Sequence, residues 1–473
     1  MEDGLQLGFK TMEEELSNIE LPVIGIIPAW LSGTYIRNGF SKWEVGKEKY
    51  RHWFDGLAML HGFTFQGGKV IYTNKFLQSE AYKQAIKSQK IAFSEFATEP
   101  TSSYLGRVFL RIAQKFTDNA AVNIEKIAGC YVAMTETPLR VEFDPKTLKT
   151  LGRFKYDDDI TAQLTTAHPH IDYKTKEVIN FYTRFSLKNY HDIYRIKEGT
   201  KKRELICSIK VDEPAYMHTF SITENYIILV EFPLFLNPLN LLFSGKPLID
   251  NLTWKPDKGV RFFVVNRANG KLVKTLHSST CFCYHHINAF EKDGGIFIDM
   301  VVYEDARLVE TGYLARLRNG ELTMPIPEIR RYHLPLDKNS KVGFEVLSED
   351  FVEFPRIHYK KHNMHDYSII YGMSSNLSYG FLNHLKKIDI KRNKTQMWFE
   401  EGCYPGEPVF VTKHDDAAED EGVVLAVVLN TKTKTSFLLI LDAYSFEEIA
   451  RAEIPHCIPF GAHGQYYKEE VQQ

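Results

Sequence analysis

Four of the 17 histidines in the sequence occupy places from which separated side chains could share one ion. His168 lies in Thr166-Ala-His-Pro-His, His218 in Tyr216-Met-His-Thr-Phe, His285 in Cys283-Tyr-His-His-Ile-Asn-Ala, and His463 in Gly461-Ala-His-Gly. Each stands at the start or end of a stretch that reads as a strand, and each in a different stretch. They form no local ligand motif, so any one alone is an ordinary polar histidine. Only convergence in space would make them a site. Neutral imidazoles suit iron, copper, zinc or nickel. Three glutamates follow a matching pattern: Glu136 in Ala133-Met-Thr-Glu-Thr, Glu353 in Phe351-Val-Glu-Phe-Pro, and Glu407 in Tyr404-Pro-Gly-Glu-Pro-Val-Phe. Apolar neighbours surround each, where an unpaired charge is expensive. A carboxylate that accepts the distal N–H of a metal-bound imidazole removes that cost and fixes the ring. A surface glutamate at a strand end is the plain alternative.

Bringing such residues together requires an architecture that gathers many strand ends at one place. The sequence carries a recurring strand–turn–strand unit, first at Val141-Glu-Phe-Asp-Pro-Lys-Thr-Leu with a return through Gly152-Arg-Phe. Similar units begin at Ile193, Phe262, Tyr313, Leu385 and Leu438, each with strand-type alternation broken by turn residues such as Asp-Pro or Asn-Gly. The turn-opening residues Asp144, Lys197, Asn266, Arg318, Asp389 and Asp442 recur every 52 to 71 residues. A repeat of roughly 50 residues with about four short strands is the period of a β-propeller blade. Six visible units plus one from the N-terminal part predict seven blades, and a β-sandwich array with chance spacing is the alternative. In a propeller the inner strands converge on one axis, so distant histidines can meet. Helices are expected only at Ser79–Ser88 and Tyr104–Phe116, with short helices and loops left to cap the site. No Pro/Gly/Ser-rich linker divides the chain, which reads as one domain over 1–473.

Composition narrows the function classes. A hydrophobic fraction of 44% and an aromatic fraction of 13% supply a full core, and a net charge of −2 gives no footprint for nucleic acid. No apolar run approaches the roughly 20 residues of a spanning helix. Met1-Glu-Asp-Gly lacks the basic start and apolar run of a signal peptide. Six cysteines, at 130, 207, 281, 283, 403 and 457, form no CxxC pair, which suits a reducing cytoplasm.

Taken together the motifs resemble the carotenoid cleavage oxygenase family over nearly the whole chain. The resemblance runs from Gly33-Thr-Tyr-Ile-Arg-Asn-Gly and Phe54-Asp-Gly-Leu-Ala-Met-Leu-His through Asn119-Ala-Ala-Val-Asn, Met134-Thr-Glu-Thr and Ala167-His-Pro-His. It continues in His285-His-Ile-Asn-Ala-Phe-Glu, Pro405-Gly-Glu-Pro-Val-Phe-Val and Pro459-Phe-Gly-Ala-His-Gly. It is nearest the branch of animal carotene oxygenases and the visual-cycle retinoid isomerohydrolase. The resemblance implies an all-β, seven-bladed β-propeller with Fe(2+) on its axis, held by His168, His218, His285 and His463. By the same analogy Glu136, Glu353 and Glu407 pair with His218, His285 and His463. His170 and His286 are non-ligands, because the family motif places the ligand first. Phe54, Phe96, Thr135, Tyr284 and Tyr303 match positions lining the family's substrate tunnel, with core packing as the alternative for each aromatic.

Two departures stand out. Phe40 follows Arg37-Asn-Gly where relatives carry proline, which is expected to alter a local turn. Glu99-Pro-Thr-Ser-Ser-Tyr stands in place of Pro-Asp-Pro-Cys-Lys, so the membrane role attached to that motif does not carry over.

The implied activity is cleavage of a carotenoid or apocarotenoid double bond by dioxygen, at or near the centre, giving retinal-type aldehydes. Cleavage of a stilbene-type phenolic alkene and isomerohydrolysis of a retinyl ester are the alternatives on the same scaffold. A propeller serving only as a binding module is disfavoured by the full set of histidines and glutamates. The expected partners are a lipophilic small molecule and O2. A membrane surface is a further one, met through 104–116, an amphipathic helix with basic residues, and 232–243, which is too short and proline-broken to span a bilayer. Residence in the cytoplasm with peripheral membrane contact follows.

Overall fold

The computed structural model describes residues 4–101, 103–112, 116–185, 188–321, 324–337, 341–375 and 380–468. Its strands form seven antiparallel sheets of four to six strands, plus two small two-stranded ribbons. In sequence order the sheets are the blades of a propeller. Blade 1 spans Ile19–Glu20 and Gly33–Phe76, blade 2 Asn123–Arg153, blade 3 Leu164–Val211 and blade 4 Ser221–Ser278. Blade 5 spans His286–Ser348, blade 6 Glu353–Trp398 and blade 7 Cys403–Ile454. Middle strands are packed on both faces by the adjoining blades, so they read as unbroken apolar runs rather than alternating ones. Gly422–Asn430 is buried at every residue but its ends.

Both chain ends close the ring. The last strand, Gly464–Lys468, pairs with Gly33–Arg37 at the inner edge of blade 1. Val23–Gly25 pairs with Ala450–Ala452 at the outer edge of blade 7. Each seam leaves fewer strand edges with unpaired backbone groups, the liability of an open sheet.

Five of the six hairpins expected from sequence are present, among them Arg140–Phe143 with Thr150–Arg153 and Val260–Asn266 with Leu272–Ser278. The unit at Tyr313 is a correction. Leu314–Arg318 is a short helix burying Leu314 and Leu317, and the outer hairpin of blade 5 is Glu328–Pro335 with Gly343–Ser348. Leu, Ala and Arg are good helix formers without β-branching. Asn319-Gly320, which suggested a hairpin turn, instead ends the helix, with Gly320 at φ 73°. The two expected helices are Glu80–Ser88, capped by the Ser79 side chain, and Tyr104–Ile112; residues 113–115 of the second lie outside the described residues. Phe40 produces no new turn. It sits at a β-bulge of the strand Gly33–Lys42, buried against Trp53 and Phe54.

The inner seam supplies a test of closure. Gly33 has φ +143°, and a Cβ there would come within 2.4 Å of the Tyr467 carbonyl oxygen on the closing strand. Gly33→Val should destabilise the fold by about 2–4 kcal/mol, read by denaturant titration. An unchanged midpoint would show that this seam carries no stability.

Candidate metal centre and tunnel

The four histidines singled out above converge. One ring nitrogen from each of His168, His218, His285 and His463 lies within 4.8 Å of every other. His168 Nε2 and His218 Nε2 are 3.0 Å apart. The ring centroids of His168 and His463 are separated by 4.4 Å, and those of His285 and His463 by 5.2 Å. His168 lies between the short strands Leu164–Thr165 and His170–Asp172 of blade 3, His218 and His285 just before the first strands of blades 4 and 5, and His463 immediately before the closing strand of blade 1.

The three remaining blades supply the carboxylates. Glu136 follows the strand Cys130–Met134 of blade 2, Glu353 opens blade 6, and Glu407 lies between Cys403–Pro405 and Val409–Thr412 of blade 7. His218 Nδ1 donates to Glu136 Oε1 at 2.7 Å, His285 Nδ1 to Glu353 Oε2 at 2.6 Å, and His463 Nδ1 to Glu407 Oε1 at 2.7 Å. Every blade therefore contributes one residue to the centre. A proton held at Nδ1 by a carboxylate leaves Nε2 with its lone pair facing inward, the form in which imidazole binds a metal. His168 has no carboxylate partner among its described contacts. It is placed through Thr166, whose hydroxyl accepts from the His168 backbone N–H (3.0 Å) and donates to the His218 carbonyl.

Burial and neighbouring charges shift several of these groups. Burial pushes His168 well below the ordinary histidine range, and the three other rings add to it. Burial likewise brings His463 down to about 4, although Glu407 opposes the shift. Burial alone would raise the Glu407 carboxyl, but the Arg356 guanidinium and His463 bring it down to about 2. Burial would also raise Glu353, which is held below the carboxylate range by His285, the Phe354 N–H and the Tyr303 hydroxyl.

These residues fit a metal ion. His285 Nε2 is closed from solvent and has no hydrogen-bond partner among the described residues, so it presents an unused lone pair to the point where the other three nitrogens gather. His170 and His286 point elsewhere. His170 bonds the Tyr359 hydroxyl (2.7 Å) and the Phe220 carbonyl (2.9 Å), and His286 Nδ1 meets the Ser221 hydroxyl at 2.7 Å.

Beside the four rings lies a cavity of about 560 Å³. Phe54, Phe96, Thr135, Tyr284 and Tyr303 are all in its wall, with His218, His285 and His463. Aromatic and aliphatic side chains dominate the rest, including Phe40, Trp53 and Leu382. Three partners of the carboxylates were not evident from sequence. Arg356 grips Glu407 through Nε (2.9 Å) and Nη2 (3.0 Å). Tyr216 and Tyr303 donate their hydroxyls to Glu136 (2.7 Å) and Glu353 (2.8 Å).

The sequence as a whole has clear relatives. The family model described as retinal pigment epithelial membrane protein matches residues 9–468. The chain is 34% identical to the mitochondrial carotenoid-cleaving dioxygenase of Macaca fascicularis, covering 96% of this chain and 93% of that protein. It is 33% identical to the β,β-carotene 15,15'-dioxygenase of Rattus norvegicus, covering 97% and 90%. Among solved structures it resembles a variant of the apocarotenoid oxygenase of Synechocystis, with a TM-score of 0.88, 25% identity and 98% of both chains covered. A cobalt-substituted form of the Synechocystis enzyme aligns with a TM-score of 0.87, at 25% identity over 98% of both chains.

The geometry separates ligands from neighbours. Alanine at His168, His218, His285 or His463 should abolish stable metal retention, whereas His170→Ala and His286→Ala should keep close to one ion per chain by elemental analysis. An equal loss in His384→Ala, whose ring instead stacks on Phe399, would contradict the assignment. Among the glutamates, Glu136→Gln is the cleaner probe, because Glu407→Gln would also strip the partly buried Arg356 of its carboxylate partner. Glu136→Gln should weaken metal retention about ten- to a hundredfold with the fold intact, and wild-type retention would make this glutamate structural only.

Proposed function

The chain belongs to the carotenoid oxygenase family, and from that premise we propose that it is a non-haem Fe(2+) dioxygenase cleaving one double bond of a carotenoid or apocarotenoid to two carbonyl products. One observation carries the reading: four imidazoles, three of them backed by carboxylates, converge beside an apolar cavity. His168, His218, His285 and His463 would hold the iron. When bound, ferrous iron supplies the redox chemistry by which dioxygen reacts with an alkene.

The chain's own residues do the rest. The apolar wall takes up a polyene and excludes water, and Phe54, Phe96, Thr135, Tyr284 and Tyr303 border the reacting bond. The overall change breaks one C=C bond and one O–O bond and forms two C=O bonds. Atoms and electrons balance without a reductant, and no proton is gained or lost. A general base is therefore unnecessary, in keeping with Glu136 and Glu353, which the histidine and tyrosine hydrogen bonds already engage. How far the polyene passes the metal decides which bond is cut.

A lipid-dissolved substrate must reach this cavity from a membrane. Pro238–Phe243 forms a short helix beside Tyr104–Ile112; the Tyr104 hydroxyl donates to the Phe243 carbonyl at 2.6 Å, and Arg107 Nε to the Gly245 carbonyl at 3.0 Å. Leu239 and Leu242 also line the cavity, so this corner supports a reading as its mouth. Leu239 is 67% exposed and Leu105 75%. The rest of the segment expected to touch the membrane does not qualify, since Phe232 and Leu234–Leu236 are buried in the protein. No helix among the described residues is long and apolar enough to cross a bilayer. We infer peripheral contact through Leu105, Leu239 and Phe243, with the rest of the chain, one domain over 1–473, in a reducing cytoplasm where its six cysteines stay free.

Two measurements test these readings. Incubation with β-carotene, an apocarotenal, a hydroxystilbene and a retinyl ester, with and without oxygen, should give aldehydes from a polyene only aerobically, with label from 18O2 in both halves. Ester turnover without oxygen, or turnover of the stilbene alone, would move the enzyme to another class. In liposome flotation, Leu105→Glu with Leu239→Glu should shift protein out of the lipid fraction, and equal recovery would rule out the patch.

A further inference from the structure

Two buried polar side-chain atoms in the cavity wall have no hydrogen-bond partner among the described residues: His285 Nε2 and Tyr284 Oη. The first faces the point where the four nitrogens gather. The second has no such explanation. Tyr284 is 6% exposed, and its ring is fixed on several sides. It meets Phe282 edge-on at 5.0 Å, His218 at 5.1 Å, and Phe54 and Tyr216 at 6.4 Å. Its backbone carbonyl accepts from the Thr219 hydroxyl at 2.7 Å.

The two other tyrosines near the centre, Tyr216 and Tyr303, donate to the glutamates that hold the histidines. Tyr284 does neither job. Phenylalanine would make the same ring contacts without burying an unsatisfied O–H, which is unfavourable until an acceptor arrives. Tyr284 lines the cavity, so an oxygen on a bound molecule can supply that acceptor once the wall admits it. A neutral phenol in an apolar wall suits a neutral oxygen, a carbonyl or hydroxyl, and not an ion.

Building on the carotenoid reading above, we propose that Tyr284 is a specificity-determining residue whose hydroxyl donates a hydrogen bond to a carbonyl oxygen on the polyene. That oxygen is either brought in on an oxygenated substrate or formed on a product half. The site is thereby tuned to polyene aldehydes over hydrocarbons.

The test uses anaerobic, iron-loaded wild type and Tyr284→Phe with three probes: β-carotene, a long apocarotenal and retinal. Binding is followed by quenching of tryptophan fluorescence, for which Trp53 in the cavity wall is well placed. Tyr284→Phe should weaken aldehyde binding about five- to tenfold and leave β-carotene binding and iron content unchanged. The Raman C=O stretch of the bound aldehyde should lie at lower frequency in wild type than in the variant. Weakening for the apocarotenal alone assigns the hydroxyl to a substrate oxygen; weakening that includes retinal assigns it to the carbonyl the reaction makes. Unchanged affinities with an unmoved C=O band overturn the proposal while leaving the cleavage reading intact. A wild type that binds and cleaves no polyene overturns both.

Discussion

Everything in this molecule depends on presenting four unprotonated imidazole nitrogens to one point in a dry interior. A histidine does so only if its other nitrogen holds the proton and that N–H has a partner. Three carboxylates meet the need for His218, His285 and His463. A buried carboxylate in turn needs its own donors, which Tyr216, Tyr303 and Arg356 provide. The result is a set of chains running outward from the centre, each ending in a donor fixed by the blades around it. Removing an outer link loosens an inner one, so rigidity at the metal comes from the whole ring.

The ring explains why the site is spread over the sequence. The four histidines and three glutamates come one from each blade, and none of the seven is held by its own blade alone. The last of the four histidines, His463, arrives with the strand that closes the propeller, where Asn38 N donates to its carbonyl at 2.9 Å. Closure and assembly of the centre are thus one event. A cavity of mostly apolar side chains beside the four histidines is suited to a neutral, electron-rich ligand.

Much of this was legible in the sequence, for identifiable reasons. Blade period shows because each outer hairpin carries local turn chemistry, as at Asp144 and Asn266. The four histidines stand out because the stretches around them resemble motifs of the family, although they form no local ligand motif of their own. The hairpin assigned at Tyr313 failed because Asn-Gly serves a helix end as well as a β-turn, and only tertiary packing of Leu314 and Leu317 decides between them. Phe232–Leu236 looked like an exposed greasy segment because nothing local reveals that it is buried under neighbouring strands. Arg356 and Tyr216 act through contacts 51 and 80 residues away in sequence, which no local pattern encodes. The partnerless Tyr284 hydroxyl is a property of its surroundings and has no sequence signature at all.

The central claim is that four imidazoles and no carboxylate hold the iron. X-ray absorption at the iron edge on the anaerobic, iron-loaded protein tests it directly, combined with anomalous diffraction to place the ion. The account predicts a single ferrous ion among the ring nitrogens of His168, His218, His285 and His463, with four nitrogen scatterers at one short metal–ligand distance and the glutamate oxygens beyond it. An ion bound directly by Glu136, Glu353 or Glu407, or one lying away from the four rings, would contradict it.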